Sequence, residues 1–359
     1  MNVIKLDPNS KVKKLLLTIK PRQVIYPIII GLGFVAVMLY FQLKNNTVSF
    51  DIINFTYVSI IWLVIAALCV FTRDIGYIIR VRLLSDNELT WRQSFRIIML
   101  WEFTSAVTPS AVGGTSIAVL FVNAEKISLG RSSAIVMATS FLDELYFIVI
   151  FPILLLIVSP SILFSIGQSH SVISSDILIF ALIGYSLKLT YLLFVGYGLF
   201  INPNIIKRFI LKIFQLKIIR RWRKKARRAG LDIVNNSREY RQKSFMFWLK
   251  TFGATALSWT ARYWVVNALF MAFFVVDNKH FLIFSRQFVM WIVMLISPTP
   301  GGSGFSEYIF SRYLGDFLPP VAGVAIIMAL IWRLYTYYPY LIAGAIIVPR
   351  WIKNVFGAK

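Results

Sequence analysis

The chain has 359 residues, 58% of them hydrophobic and 15% charged, with a mean hydropathy of +0.72. A soluble domain carries about 25% charged and about 45–50% apolar residues, so the composition excludes that class and implies a polytopic membrane protein. The net charge of +23 fits basic loops held at a cytoplasmic membrane face, and one cysteine (Cys69) with two histidines (His170 and His280) excludes a disulfide framework and a Cys/His metal centre.

Residues 1–21 are polar and basic without a small-residue cleavage site, and read as a cytoplasmic N-terminus, not a removable signal. Apolar runs long enough to cross a bilayer follow at 22–43, 55–79, 132–158, 176–200, 246–276 and 318–348. Two other apolar stretches, 94–126 and 285–315, are interrupted by Pro and Gly into halves of about 15 residues, too short to cross. A broken backbone at membrane depth is tolerated only where protein or a water-filled cavity satisfies it, so each stretch is expected to be a re-entrant hairpin of two half-helices. The fold class is therefore an all-α polytopic membrane protein with six full transmembrane helices and two re-entrant hairpins. Six crossings put every basic segment on one face: the N-terminus, the loop with Arg80, Arg82, Arg92 and Arg96, the segment 201–245 with fourteen Lys and Arg, and the C-terminus 349–359. Both termini are then cytoplasmic, at the inner membrane of a bacterium. The stretch 203–228 spaces Ile205, Ile206, Phe209, Ile210 and Ile213 helically between cations, as an amphipathic helix on anionic lipid does. It carries no nucleic-acid motif, and nucleic acid is not expected as a partner.

Sliding the sequence by 191 positions aligns 94–146 with 285–337 without a gap, with ten identities in 53 positions. Thr108 and Pro109 meet Thr299 and Pro300, Gly113 meets Gly304, and the block AIVMA at 134–138 meets AIIMA at 325–329. Three crossings separate the copies, so the second is inverted (repeats about 94–158 and 285–348). Broken helices in an inverted repeat place a substrate site at the repeat interface. The half-helix N-termini near Ala111–Gly114 and Gly302–Gly304 would present free N–H groups and a partial positive charge to an anion such as a lipid phosphate.

Ionisable residues within spans point to function. Arg262 and Arg333 are expected to hold a phosphate, and Glu307 and Asp143 to balance charge, accept a proton or meet a cationic headgroup. Alternatively, internal pairs such as Asp143 with Arg262 fix the packing. Lys188 reads as a snorkelling lysine, and Arg73, Asp74 and Lys250 read as anchors at span ends. The candidate lipid site is Thr108, Pro109, Gly113, Gly114, Asp143, Arg262, Thr299, Pro300, Gly301, Gly302, Gly304, Glu307 and Arg333.

TPSAVGG at 108–114 with SFLDELYFI at 140–148, and SPTPGGSGFSEY at 297–308 with ALIWRLYTYYPYLIAG at 329–344, resemble the lysylphosphatidylglycerol synthase transmembrane family, also called the flippase-like domain. The first motif departs from the family pattern: Ser110 and Ala111 replace glycines, and Thr115-Ser116 stand where an acid is usual. The resemblance implies one flippase-like domain over 22–348 that moves an anionic phospholipid or a polyprenyl-phosphate-linked lipid. The family's aminoacyltransferase is a separate domain that these residues do not include, so no enzyme activity and no cofactor is expected. No phosphate-binding loop of the G-x-x-x-x-G-K-[ST] type is present to couple ATP. Two other classes stay open, a membrane-embedded lipid-modifying transferase and a scaffold for a lipid-synthesis complex. So do two protein partners, a lipid-synthesis enzyme and a second copy of the chain.

Overall fold

The computed structural model describes residues 55–108, 111–164, 175–213, 239–276, 279–294 and 301–356, with single positions at 29, 33, 36, 37, 40, 215, 231, 234, 297 and 299. The predicted span 22–43 (single positions apart), Pro109, Pro300 and most of the basic loop 201–245 lie outside the described residues. Every regular element among the described residues is helical.

Helix α1 (Tyr57–Leu84) starts at Thr56, whose hydroxyl accepts the Ser59 N–H while the Ser59 hydroxyl accepts the Thr56 N–H, a reciprocal cap. Its exposed residues Tyr57, Ile61, Val64, Leu68, Phe71 and Ile75 recur every three or four positions, while Arg73, Tyr77, Arg80 and Leu84 are buried on the other side. Charge inside and hydrocarbon outside is the reverse of a soluble helix, and it suits a lipid surround. The helix runs beyond the predicted 55–79, and the extension moves Arg80 out of the expected loop into the protein interior.

A tight turn with Asp86 and Asn87 in the left-handed region leads to α2 (Trp91–Val107), capped by Thr90 and Gln93. This helix ends at Thr108, which is extended because the next residue is a proline. Helix α3 (Ala111–Ala124) returns along α2: Gly114 lies where a Cβ would strike Ser105, and Glu125 just past α3 accepts from Gln93 and Arg96 near the start of α2. The pair is a hairpin with both outer ends together.

Then come α4 (Leu129–Ile157), α5 (Ser175–Gly196) running into a π-helical turn Tyr197–Ile201, α6 (Asn204–Ile213) and α7 (Phe245–Phe273). Gly76 of α1 sits against Ala254 and Ser258 of α7 without room for a Cβ, and the Ser258 hydroxyl donates to the Arg73 carbonyl. Small residues thus let these two long helices touch backbone to backbone. A second hairpin follows, α8 (His280–Met294) and α9 (Phe305–Leu314), whose outer ends are joined by Arg286 Nη1 to Asp316 at 2.8 Å.

The predicted last span 318–348 is two helices, α10 (Val324–Thr336) and α11 (Tyr338–Phe356), broken at Tyr337 with φ −132° and ψ −58°. Pro339 has no N–H for the helical ladder, which accounts for the break. Among the described residues four stretches are long and apolar enough to cross a bilayer: Tyr57–Leu84, Leu129–Ile157, Ala181–Ile201 and Val324–Trp351. Among the described residues two hydrophobic clusters form the core. One joins the α8–α9 hairpin to α7, α10 and the end of α4; the other joins α2–α3 to the end of α1, the start of α4 and α11.

Candidate functional site

Between the two clusters lies a cavity of about 740 Å³ whose wall takes residues from both hairpins: Ser105, Thr108 and Thr115 from the first, Met294, Gly301 and Gly302 from the second. The two helix breaks touch. The Gly301 N–H donates to the Thr108 carbonyl at 3.2 Å, and the Tyr337 hydroxyl donates to the Ala106 carbonyl at 3.0 Å. Gly301 has φ +57°, and a Cβ there would collide with the Ala106 carbonyl and the Tyr337 ring. Glycine is required at this position on both counts.

Among the described residues the wall carries four cations (Arg80, Lys188, Arg262 and Arg333) and three carboxylates (Glu102, Asp143 and Glu144). Asp143 does not pair with Arg262. It holds Arg80 at 2.5 Å and accepts the Trp259 indole N–H at 2.6 Å. Lys188 does not snorkel: it is buried, 2.8 Å from Glu144, with Phe147 beneath it. Nor are Arg73 and Asp74 interface anchors. Arg73 is 2% exposed, is paired with Glu102 and Asp74, and donates to Tyr340, whose hydroxyl in turn donates to Asp74 at 2.9 Å. These charges could leave water only because they neutralise one another.

Arg333 lines the cavity from α10. Its Nε donates to Glu307 at 3.0 Å, its Nη2 to the Gly301 carbonyl at 2.8 Å, and its guanidinium carbon lies 4.0 Å from the Tyr337 ring centre. Glu307 is 1% exposed and does not line the cavity. Its second oxygen accepts the Gly304 N–H at 2.8 Å. That carboxylate therefore occupies the positive end of α9, where the sequence suggested free N–H groups for a ligand. Gly302 and Gly304 also have positive φ, and Thr299 accepts the Gly302 N–H at 3.0 Å. Gly113 and Gly114 lie within α3.

The structure thus brings Thr108, Asp143, Arg262, Gly301, Gly302 and Arg333 to one cavity and keeps Glu307 behind it. The sequence reading left out Arg80, Glu102, Glu144, Trp259, Trp291 and Tyr337. The signals available for them were Arg80 seven residues after Arg73 on one face of α1, and the Glu144–Lys188 pair of opposite charges on neighbouring spans. At the end of the protein where the α1–α2 turn lies, Arg131 joins Asp86 at 2.9 Å and Lys243 joins Asp86 at 2.6 Å. There the Tyr240 hydroxyl donates to the Leu84 carbonyl, and burial pushes its phenol up from its ordinary range. Among the described residues no group of three or more His, Cys, Asp and Glu side chains is placed to hold a metal ion.

Apolar-faced helices around a charged interior cavity define a helical membrane protein. The chain belongs to the lysylphosphatidylglycerol synthase TM region family, whose pattern matches residues 27–344. It is 27% identical over 295 residues to a UPF0104 membrane protein of Archaeoglobus fulgidus, an alignment covering 77% of this chain and 84% of that one. No solved structure matches it.

Proposed function

We propose that this protein carries the headgroup of an anionic lipid across the cytoplasmic membrane while the acyl chains stay in the bilayer. The observation that supports this best is the meeting of the two helix breaks, Gly301 N–H on the Thr108 carbonyl, at the wall of a charged cavity. In this reading α2–α3 and α8–α9 are re-entrant hairpins of an inverted repeat, set among six crossings, with both termini cytoplasmic. Support comes from their shared order of helix, break, shorter helix and further helix, and from the joined outer ends of each hairpin. The ion pairs of Arg131 and Lys243 further tie together three segments that this topology puts on the cytoplasmic face.

The test is flux in proteoliposomes. Fluorescent phosphatidylglycerol is placed in the inner leaflet, and its appearance outside is followed by reduction with dithionite. The protein is expected to raise the rate well above that of protein-free liposomes; equal rates overturn the reading.

A further inference from the structure

We infer that Arg262 is the anion seat of the cavity, that it takes a phosphate oxyanion through its N–H edge, and that Trp259 is its positioning residue. The inference deepens the transport reading, because it names the group on which a lipid phosphate would rest.

Three of the four cations on the wall are already engaged. Arg80 holds Asp143 at 2.5 Å, Lys188 holds Glu144 at 2.8 Å, and Arg333 holds Glu307 at 3.0 Å and a backbone carbonyl as well. Arg262, also on the wall, makes no hydrogen bond and no salt bridge among the described residues. What holds it is aromatic: its guanidinium carbon lies 5.1 Å from the Trp259 ring centre and 4.6 Å from that of Trp291. Cation–π attraction uses the charge of a guanidinium and leaves its five N–H donors free. Half-buried at the cavity wall, a guanidinium whose donors meet no protein acceptor gives up hydration without a replacement. The ligand that relieves it is an anion with two acceptor oxygens in one plane, and the two non-bridging oxygens of a phosphate diester match the guanidinium fork. Trp259 is itself pinned, because its indole N–H donates to Asp143 at 2.6 Å while Asp143 is held by Arg80. The ring beneath Arg262 is thereby fixed in place from α4 and α1.

The test is calorimetric titration of the purified full chain in detergent with dihexanoylphosphatidylglycerol, inorganic phosphate or dihexanoylglycerol. Saturable binding of the phospholipid is expected, with none for the phosphate-free glycerolipid. Arg262→Lys keeps the charge but loses the fork, and should weaken binding about tenfold, the worth of one charge-assisted hydrogen bond. Arg262→Gln should weaken it further. Trp259→Phe should lose less than Arg262→Lys, since it keeps a ring under the guanidinium but drops the bond to Asp143. Arg262→Gln breaks no hydrogen bond and no salt bridge among the described residues, only the two ring contacts, so an unchanged melting temperature verifies its fold. Saturable binding of inorganic phosphate that depends on Arg262 supports the seat and makes free phosphate a ligand in its own right. Binding of the phospholipid by Arg262→Gln within twofold of wild type overturns the inference, as does equal binding of the phosphate-free glycerolipid or no saturable binding of either anion. Arg262-dependent binding with no lipid flux would leave the seat standing and remove the transport reading. Flux together with unchanged binding in Arg262→Gln would do the opposite.

Discussion

Arg286 donates to Asp316 at 2.8 Å and closes the mouth of the second hairpin; in the first, Arg96 donates to Glu125 at 2.8 Å and does the same. The 191-residue offset carries Glu125 onto Asp316 and Arg96 onto Gln287, the neighbour of Arg286. Each hairpin is therefore closed at an acidic residue that this offset superposes, by an arginine displaced by one residue.

The two clasps bury opposite partners, the arginine in the second hairpin and the carboxylate in the first, and their removal should differ in consequence. Arg286 is 2% exposed and also donates to the Tyr313 and Ile162 carbonyls, whereas Arg96 is 31% exposed. Arg286→Gln should cost about 3 kcal/mol, as breaking a buried pair does. Arg96→Gln should cost about 1–2 kcal/mol, because it leaves the buried Glu125 carboxylate with only the Gln93 amide. Thermal unfolding of the two variants in detergent measures both, and equal losses would contradict the burial argument.

Gly301→Ala should separate the two helix breaks. The residue has φ +57°, and the added methyl would collide with the Ala106 carbonyl. Strain of this kind costs about 1–3 kcal/mol, and the Tyr337-to-Ala106 bond beside it would be displaced. Gly253→Ala is the control, because its Cβ would meet nothing within 4 Å and it lies inside helix α7. That change should leave stability unaltered or raise it by up to about 1 kcal/mol, the helix preference of alanine over glycine. Melting temperatures of the pair decide the point.

Glu307 holds Arg333 with one oxygen and the Gly304 N–H with the other. Glu307→Gln should therefore cost more than the loss of an ordinary cap: it weakens the start of α9 and leaves Arg333 buried without a counter-charge. A loss of about 3 kcal/mol is expected. Glu307→Gln combined with Arg333→Met should recover part of it, since no lone charge is left behind. A double-mutant cycle on thermal stability reads the coupling directly.

Much of this architecture is legible in the sequence, and the reasons are local. Apolar length marked the long helices, and Pro109 and Pro300 marked the interruptions, because a proline restricts the residue before it and lacks an N–H. The break at Tyr337 had the same kind of signal in Pro339, hidden inside a run long enough to pass for one span. The Gly304–Glu307 spacing is that of an acidic residue reaching back over a helix start, so the cap was readable as well. Pairing was not. Asp143 and Arg80 are 63 residues apart and meet only because α1 and α4 pack together, and neither residue type nor spacing encodes that choice. The end of α1 is hidden for a related reason: Arg80 and Arg82 look like loop residues when charge is taken as the limit of a span, yet a carboxylate partner on a neighbouring helix lets a helix continue inside the protein through an arginine.

Arg73 supplies the last prediction. It is one guanidinium serving two carboxylates, Asp74 and Glu102, with Tyr340 donating to Asp74. Neutralising either acid leaves Arg73 with the other, so Glu102→Gln should be mild, about 1 kcal/mol or less, because Glu102 is 22% exposed at the cavity wall. Arg73→Gln removes the shared cation and leaves two carboxylates facing each other beside a cavity at membrane depth. Like charges so placed cannot both stay ionised without cost, and the loss should reach about 3–5 kcal/mol. Adding Glu102→Gln to Arg73→Gln should then be stabilising relative to Arg73→Gln alone, although Glu102→Gln by itself is neutral or slightly destabilising. This reversal of sign between the two backgrounds is read from melting temperatures of the three variants. Its absence would mean that Arg73 serves packing against Tyr77 and Tyr340, which its guanidinium also faces at 5.2 and 4.8 Å, more than it serves charge.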